Sequence, residues 1–267
     1  ERFIHPQDRK ALAMLKAVPM FDTVLKTYMS LFDENAMRGM NMASKIRLSP
    51  TQVPEIYNLL PEICSTLGIP EPEFYMEMNP LPNAYTYGDT KPFVVVNSGL
   101  VDLLEKDEIK VVIAHECGHI LCRHVLYHSL AMTALKLGID FFGVIGKVAM
   151  PLYWSLMYWS RRSELSADRV AAYVMNDCDC VVRVMMRLSG GSRKTIGELN
   201  MAEYLRQVES FGHEMDESRF NRLLQAWQIK EAAHPFSGVR SCEIKAWFEQ
   251  NRDQLPEVAD APQKLTW

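Results

Sequence analysis

Apolar positions recur at helical spacing along most of the chain. In residues 7–32, Leu12, Leu15, Phe21, Val24, Leu25, Tyr28 and Leu31 mark two short amphipathic helices that part near Pro19. The methionine-rich stretch 33–48 keeps no clean period and reads as loop. Ile56, Leu59, Leu60, Ile63 and Leu67 then form an i, i+3, i+4, i+7, i+11 stripe. That stripe predicts a helix with Pro54 in its first turn, a kink at Pro61 and a stop at Gly68. From residue 74 the period becomes two. Residues 74–78, 83–87 and 93–97 read as strands, and 88–92 as the hairpin loop joining the last two. A small antiparallel sheet is expected.

The period then returns to that of a helix. Ser98 can cap a short helix through Leu104, and Asp107 and Glu108 open a longer one that reads on to about His128. Residues 111–114 in it are all apolar, which predicts a buried middle. Residues 129–160 are apolar but broken by Lys136, Asp140 and Lys147, and end in Tyr153, Trp154, Tyr158 and Trp159. They read as a helical hairpin packed on the domain, or alternatively as a segment resting on a membrane surface. The longest uncharged run, 148–160, has 13 residues and contains Pro151. A spanning helix needs roughly 20. A further helix begins near Ser163, more follow over 181–230 with a break at 189–192, and a closing helix covers 241–250.

The fold class expected is α+β, mostly α-helical. A helical segment, 1–48, packs on a main domain, 49–254, and a tail, 255–267, follows. Of 267 residues, 48% are apolar and 23% charged, an ordinary globular balance. The net charge of −4 indicates no nucleic-acid surface. Six cysteines form no regular framework and suit a reducing compartment, and without a secretory signal at the given start the expected location is cytoplasmic. Cys178 and Cys180 could bind a soft metal, but a loop with two thiols explains them as well.

The chemistry centres on His115-Glu116-Cys117-Gly118-His119. Residues four apart lie one above the other on a helix, so His115 and His119 can aim at one ion. Glu116 lies about 100° round the helix and can reach a water on that ion. Two imidazoles and a water suit zinc, and the carboxylate supplies the base that a hydrolytic water needs. His124 falls about 140° from His119 on a continuous helix and reads as non-ligating. Downstream, Glu164 and Asp168 are also four apart. They suit a third ligand and its support, or else a solvated acidic face.

Four pieces in order then resemble the gluzincin metallopeptidases of the HtpX and CAAX prenyl protease family. They are residues 83–88 (Asn-Ala-Tyr-Thr-Tyr-Gly), the His115–His119 motif, residues 164–168 (Glu-Leu-Ser-Ala-Asp), and His234-Pro235 followed by Arg240. The likeness covers about residues 50–250 and is greatest to the soluble bacterial branch. It implies one zinc per chain, held by His115, His119 and Glu164, with Glu116 as general base and proton shuttle. It implies that Asp168 orients a ligating histidine. Asn83, Ala84 and Tyr85 would hold the substrate backbone along a strand edge, and His234 and Arg240 would stand near the scissile carbonyl or its supporting loop. The function expected is a zinc endopeptidase acting on peptides or unfolded protein. Two rivals are a peptide-binding or chaperone-like module on the same fold, and a protease docked on a membrane face through 129–160. Glu116 argues against the first, since a pure binder needs no base.

Overall fold

A computed structural model describes residues 2–31, 34–137, 146–216 and 237–255. The chain starts with helices α1 (Pro6–Lys16) and α2 (Phe21–Leu31), as the period predicts. The stretch expected as loop is largely regular from residue 34 on. Glu34–Ser44 forms α3, and Ile46–Arg47 forms a short strand, β1. The helical period was hidden because the inward positions of α3 include Asn41, a polar residue that is nevertheless buried.

The stripe at 54–67 folds as two pieces, α4 (Pro54–Tyr57) and α5 (Leu59–Leu67), parted at Asn58. Pro61 therefore sits in a first turn, where it removes no helical hydrogen bond. Gly68 ends α5 with φ 65°, a left-handed conformation that glycine adopts without strain.

Strands β2 (Glu73–Glu77), β3 (Ala84–Tyr87) and β4 (Phe93–Asn97) join β1 in a sheet of order β1-β2-β4-β3. The sheet is mixed. β1–β2 and β3–β4 are antiparallel, but β2–β4 is parallel. The apolar run Phe93-Val94-Val95-Val96 explains this: a strand buried at every position belongs between two others, so β4 enters next to β2 and leaves β3 at the edge.

Alternation gives the sheet two different faces. Ala84, Val94 and Val96 share one core with Ile113 and Cys117 of helix α7 (Lys106–Leu121). Tyr75, Tyr87, Phe93 and Val95 form a smaller cluster on the other face, with Met37 from α3 and Met132 from helix α8 (Val125–Leu137). Between β4 and α7 lies the short helix α6 (Ser98–Leu103); its Ser98 hydroxyl donates to Asn79 O at 3.1 Å instead of capping the helix.

The long helix expected to reach His128 stops at Leu121. Arg123 takes φ 59°, and the N–H groups of Arg123 and His124 close on Ile120 O (3.1 Å) and His119 O (2.9 Å). That is a Schellman motif with arginine where glycine is usual, so no local signal marks the end. The turn folds the His124 ring back beside His119.

Helix α9 (Gly146–Met175) runs unbroken through Ser163, where a start was expected. Helices α10 (Cys178–Gly190), α11 (Met201–Asp216) and α12 (Ser237–Gln250) complete the described chain. Residues 217–230 of the expected helices and 256–267 of the tail lie outside it. Leu15, Phe21 and Tyr28 of the N-terminal helices pack with Leu130, Leu152, Leu156 and Trp159 of α8 and α9. Among the described residues, no helix is long and apolar enough to cross a membrane.

Candidate metal centre

α7 is buried over nearly its whole length, between the sheet on one side and α5, α9 and α10 on the others. Its N-terminus is anchored by Glu108, whose carboxylate accepts the Glu105 N–H at 3.0 Å and pairs with Arg187 of α10. Gly118 sets the distance to α9. A Cβ there would stand 3.0 Å from Ala167 Cα and 3.1 Å from Ala167 O, so a side chain at this position would press the two closely approaching backbones apart by a few tenths of an ångström.

That approach brings His115, His119 and Glu164 together. One ligand atom from each falls within 4.8 Å of the others, and all three residues are buried. His115 Nε2 lies 3.3 Å from Glu164 Oε2, and His119 Nε2 lies 3.3 Å from Glu164 Oε1. The donor set, two imidazole nitrogens and a carboxylate oxygen, fits a divalent metal ion. Charge agrees. Glu164 and Asp168 meet the Arg240 guanidinium and Glu116 borders the same cavity, so with both imidazoles neutral, as metal ligands must be, three formal negatives stand against one positive, an excess of two that suits a dication.

His115 and Glu164 are held from behind. His115 Nδ1 is 3.0 Å from Asp168 Oδ1. Burial alone would lower the His115 pKa, but the Asp168 and Glu164 carboxylates outweigh it and hold it up to about 10. Burial keeps His119 below the usual imidazole value. Arg240, from α12, donates through Nε and Nη2 to the two Asp168 oxygens at 2.7 and 2.6 Å, and its Nη1 is 3.2 Å from Glu164 Oε2. Arg240 thus braces the carboxylates, a more specific place than the resemblance implied. His234 lies outside the described residues.

Glu116, 2% exposed, turns toward the sheet. Its Oε2 accepts a 2.7 Å hydrogen bond from the Thr86 hydroxyl. Thr86 is the partner that sequence reasoning passed over. It shares a strand face with Ala84, and period two was the signal that could have found it. Asn83 and Ala84 border a cavity of about 190 Å³ with His115, Glu116 and Arg240, and its apolar wall includes Val112, Val184 and Met185. Tyr85 points to the other face, where its hydroxyl donates to Glu77 at 3.0 Å and accepts from Lys45 at 3.0 Å. It is not brought to the site.

A family model, Peptidase family M48, matches residues 50–248. The chain belongs to this family of metallopeptidases. It is similar to the plastoglobule-localized metallopeptidase 48 of Arabidopsis thaliana chloroplasts, 32% identical over 92% of this chain and 72% of that one. An HtpX protease homolog of Sulfurihydrogenibium is 34% identical over 31% of this chain and 28% of its own. Another, from Methanosarcina mazei, is 25% identical over 57% of this chain and 60% of its own. Against both HtpX homologs the match therefore spans less than two thirds of the relative. No solved structure matches the chain.

Proposed function

We propose that this M48 member is a zinc endopeptidase that cleaves peptides or unfolded protein, with Glu116 as its base. The observation that carries the reading is the convergence of His115, His119 and Glu164, with Glu116 next to His115 on the same helix and bordering the same cavity as His115. Zinc held by these three residues would act as a Lewis acid on the scissile carbonyl and on water. Glu116 removes a proton from the attacking water as its oxygen bonds to the carbonyl carbon. It then delivers that proton to the amide nitrogen, which leaves as the amine when the C–N bond breaks. Thr86 keeps the carboxylate in place, and Asp168 keeps the His115 ring turned with Nε2 toward the ion.

The strand edge supplies the substrate contact. Asn97 N–H bonds to Asn83 O at 2.9 Å. In an antiparallel ladder the neighbouring residues then turn their main-chain groups the other way, so Ala84 and Thr86 present theirs to the open edge. An extended peptide adding there would use main-chain bonds, which tolerate many sequences. An apolar side chain next to the cleaved bond fits the adjoining cavity.

Metal analysis combined with cleavage of an unfolded test protein checks this reading. One zinc per chain, lost with activity in Glu164→Ala, is expected. Full occupancy in that variant under mild chelation would contradict the ligand set.

A membrane-docked version has an observation of its own. Met150, Trp154 and Tyr158, four apart on α9, are 39%, 37% and 38% exposed and form one apolar row. The plant relative is named for its location at plastoglobules. Sedimentation with lipid vesicles separates the two versions: pelleting abolished by Trp154→Ser supports docking through this row.

A further inference from the structure

His115 and His119 are braced differently. Asp168 and Arg240 stand behind His115, both on elements within the matched residues 50–248. Behind His119 stands another histidine and then a carboxylate from the opposite end of the chain. His119 Nδ1 is 3.1 Å from His124 Nδ1, and His124 Nε2 is 3.0 Å from Asp8 Oδ2. Asp8 belongs to α1, outside the family match. Neither residue meets solvent: Asp8 is 1% exposed and His124 2%.

Proton accounting along this chain gives one answer. If His119 offers its Nε2 lone pair on the Glu164 side, its proton is on Nδ1. His124 Nδ1 must then accept, which places the His124 proton on Nε2, where Asp8 accepts it. Asp8 is fixed in turn. Trp159 Nε1 donates to Oδ1 at 3.0 Å, and the Ser166 hydroxyl donates to Oδ2 at 2.6 Å. Ser166 accepts the His5 N–H at 2.9 Å, tying the carboxylate to the start of α1. Burial works against ionised Asp8, but the bonds from His124, Ser166 and Trp159 outweigh it and keep its pKa below the usual carboxylate value. Every donor in the chain meets an acceptor.

We infer that Asp8, acting through His124, is a positioning residue of the metal centre: it fixes the tautomer and orientation of His119. The N-terminal helix is then part of the centre and not only a cover over α9. This inference rests on the zinc reading above. The same cluster admits another use, because ligand atoms of His119, His124 and His128 also lie within 4.8 Å of one another. The hydrogen bonds favour the relay. Both His124 nitrogens are engaged, and His128 Nε2 is 2.7 Å from the Ser163 hydroxyl.

The test is the zinc dissociation constant of the full chain, measured by competition with a chromophoric chelator, alongside the melting temperature of the metal-free protein. His124→Phe keeps the ring shape without an acceptor and should weaken zinc binding ~10- to 100-fold, the usual effect of losing such a partner. Asp8→Asn should weaken it in the same direction. His124→Asn places an amide oxygen close to the Nδ1 position and should recover most of the loss. Leu15→Ala, which loosens the packing of α1 without touching the relay, should lower the melting temperature and leave zinc binding unchanged. One zinc in wild type, with His124→Phe and Asp8→Asn both within about twofold of it, would overturn the relay alone. A second zinc per chain, lost in His128→Asn, would overturn it in favour of a three-histidine site. A wild type that binds no zinc would overturn the zinc reading, and this inference with it.

Discussion

Replacing Thr86 with valine tests whether Glu116 works as a positioned base. The two side chains are similar in shape and both favour strands, so the β3 backbone and its open edge should be kept. What disappears is one hydroxyl. It lies 2.7 Å from Glu116 Oε2 and 3.3 Å from Glu116 O, and its single proton favours the nearer carboxylate. Thr86 is 4% exposed, so water does not readily take its place. A hydrogen bond to a charged group contributes about 1.5–3 kcal/mol. At about 1.4 kcal/mol per tenfold in rate, loss of that positioning lowers kcat about 10- to 150-fold. KM should move much less, because the valine leaves the main-chain contacts alone. Zinc content should not change, since Thr86 touches none of the three ligands. The assay is hydrolysis of a fluorogenic peptide over a range of concentrations, with metal analysis of the same sample. A kcat within about threefold of wild type, below what such a bond contributes, would refute the reasoning.

Two further outcomes follow from the supports of the centre. Arg240→Leu leaves two buried carboxylates without their guanidinium and should lower the unfolding free energy of the metal-free protein by about 3–5 kcal/mol; urea denaturation in chelator checks it, and a loss under about 1 kcal/mol would contradict the bracing role. Gly118→Ala overpacks the α7–α9 contact at about 1–3 kcal/mol and should also weaken zinc by parting the ligand helices; a lower melting temperature with unchanged zinc affinity would separate packing from the site.

The parts of the site that could be read from sequence are those written within one helix. Four-residue spacing puts His115 over His119 and Glu164 over Asp168, whatever surrounds them. The parts that could not be read are contacts between distant segments. Asp8 reaches His124 across more than a hundred residues, and although the period of two puts Thr86 on the strand face of Ala84, nothing local pairs it with Glu116. His124 shows how a local rule misleads. Its angle of about 140° from His119 holds only on a continuous helix, and α7 ends at Leu121 with no glycine or proline to announce it. Once the chain turns at Arg123, the ring comes back to the ligand it was placed away from. The sheet follows a similar logic. Strands β2, β3 and β4 are legible in the sequence while the two-residue β1 is too short to show a period; pairing order depends on which strand is apolar on both faces, and the run 93–96 decided that in favour of β4.

The most direct test of the account is Glu116→Gln, assayed for zinc and for peptide hydrolysis together. Glutamine keeps the shape, still accepts from Thr86, and cannot take a proton from water. The account predicts zinc content and melting temperature near wild type, with hydrolysis reduced by at least ~10²-fold, the lower end of what a positioned base contributes. Turnover equal to wild type at full zinc occupancy would remove Glu116 as the base and contradict the mechanism.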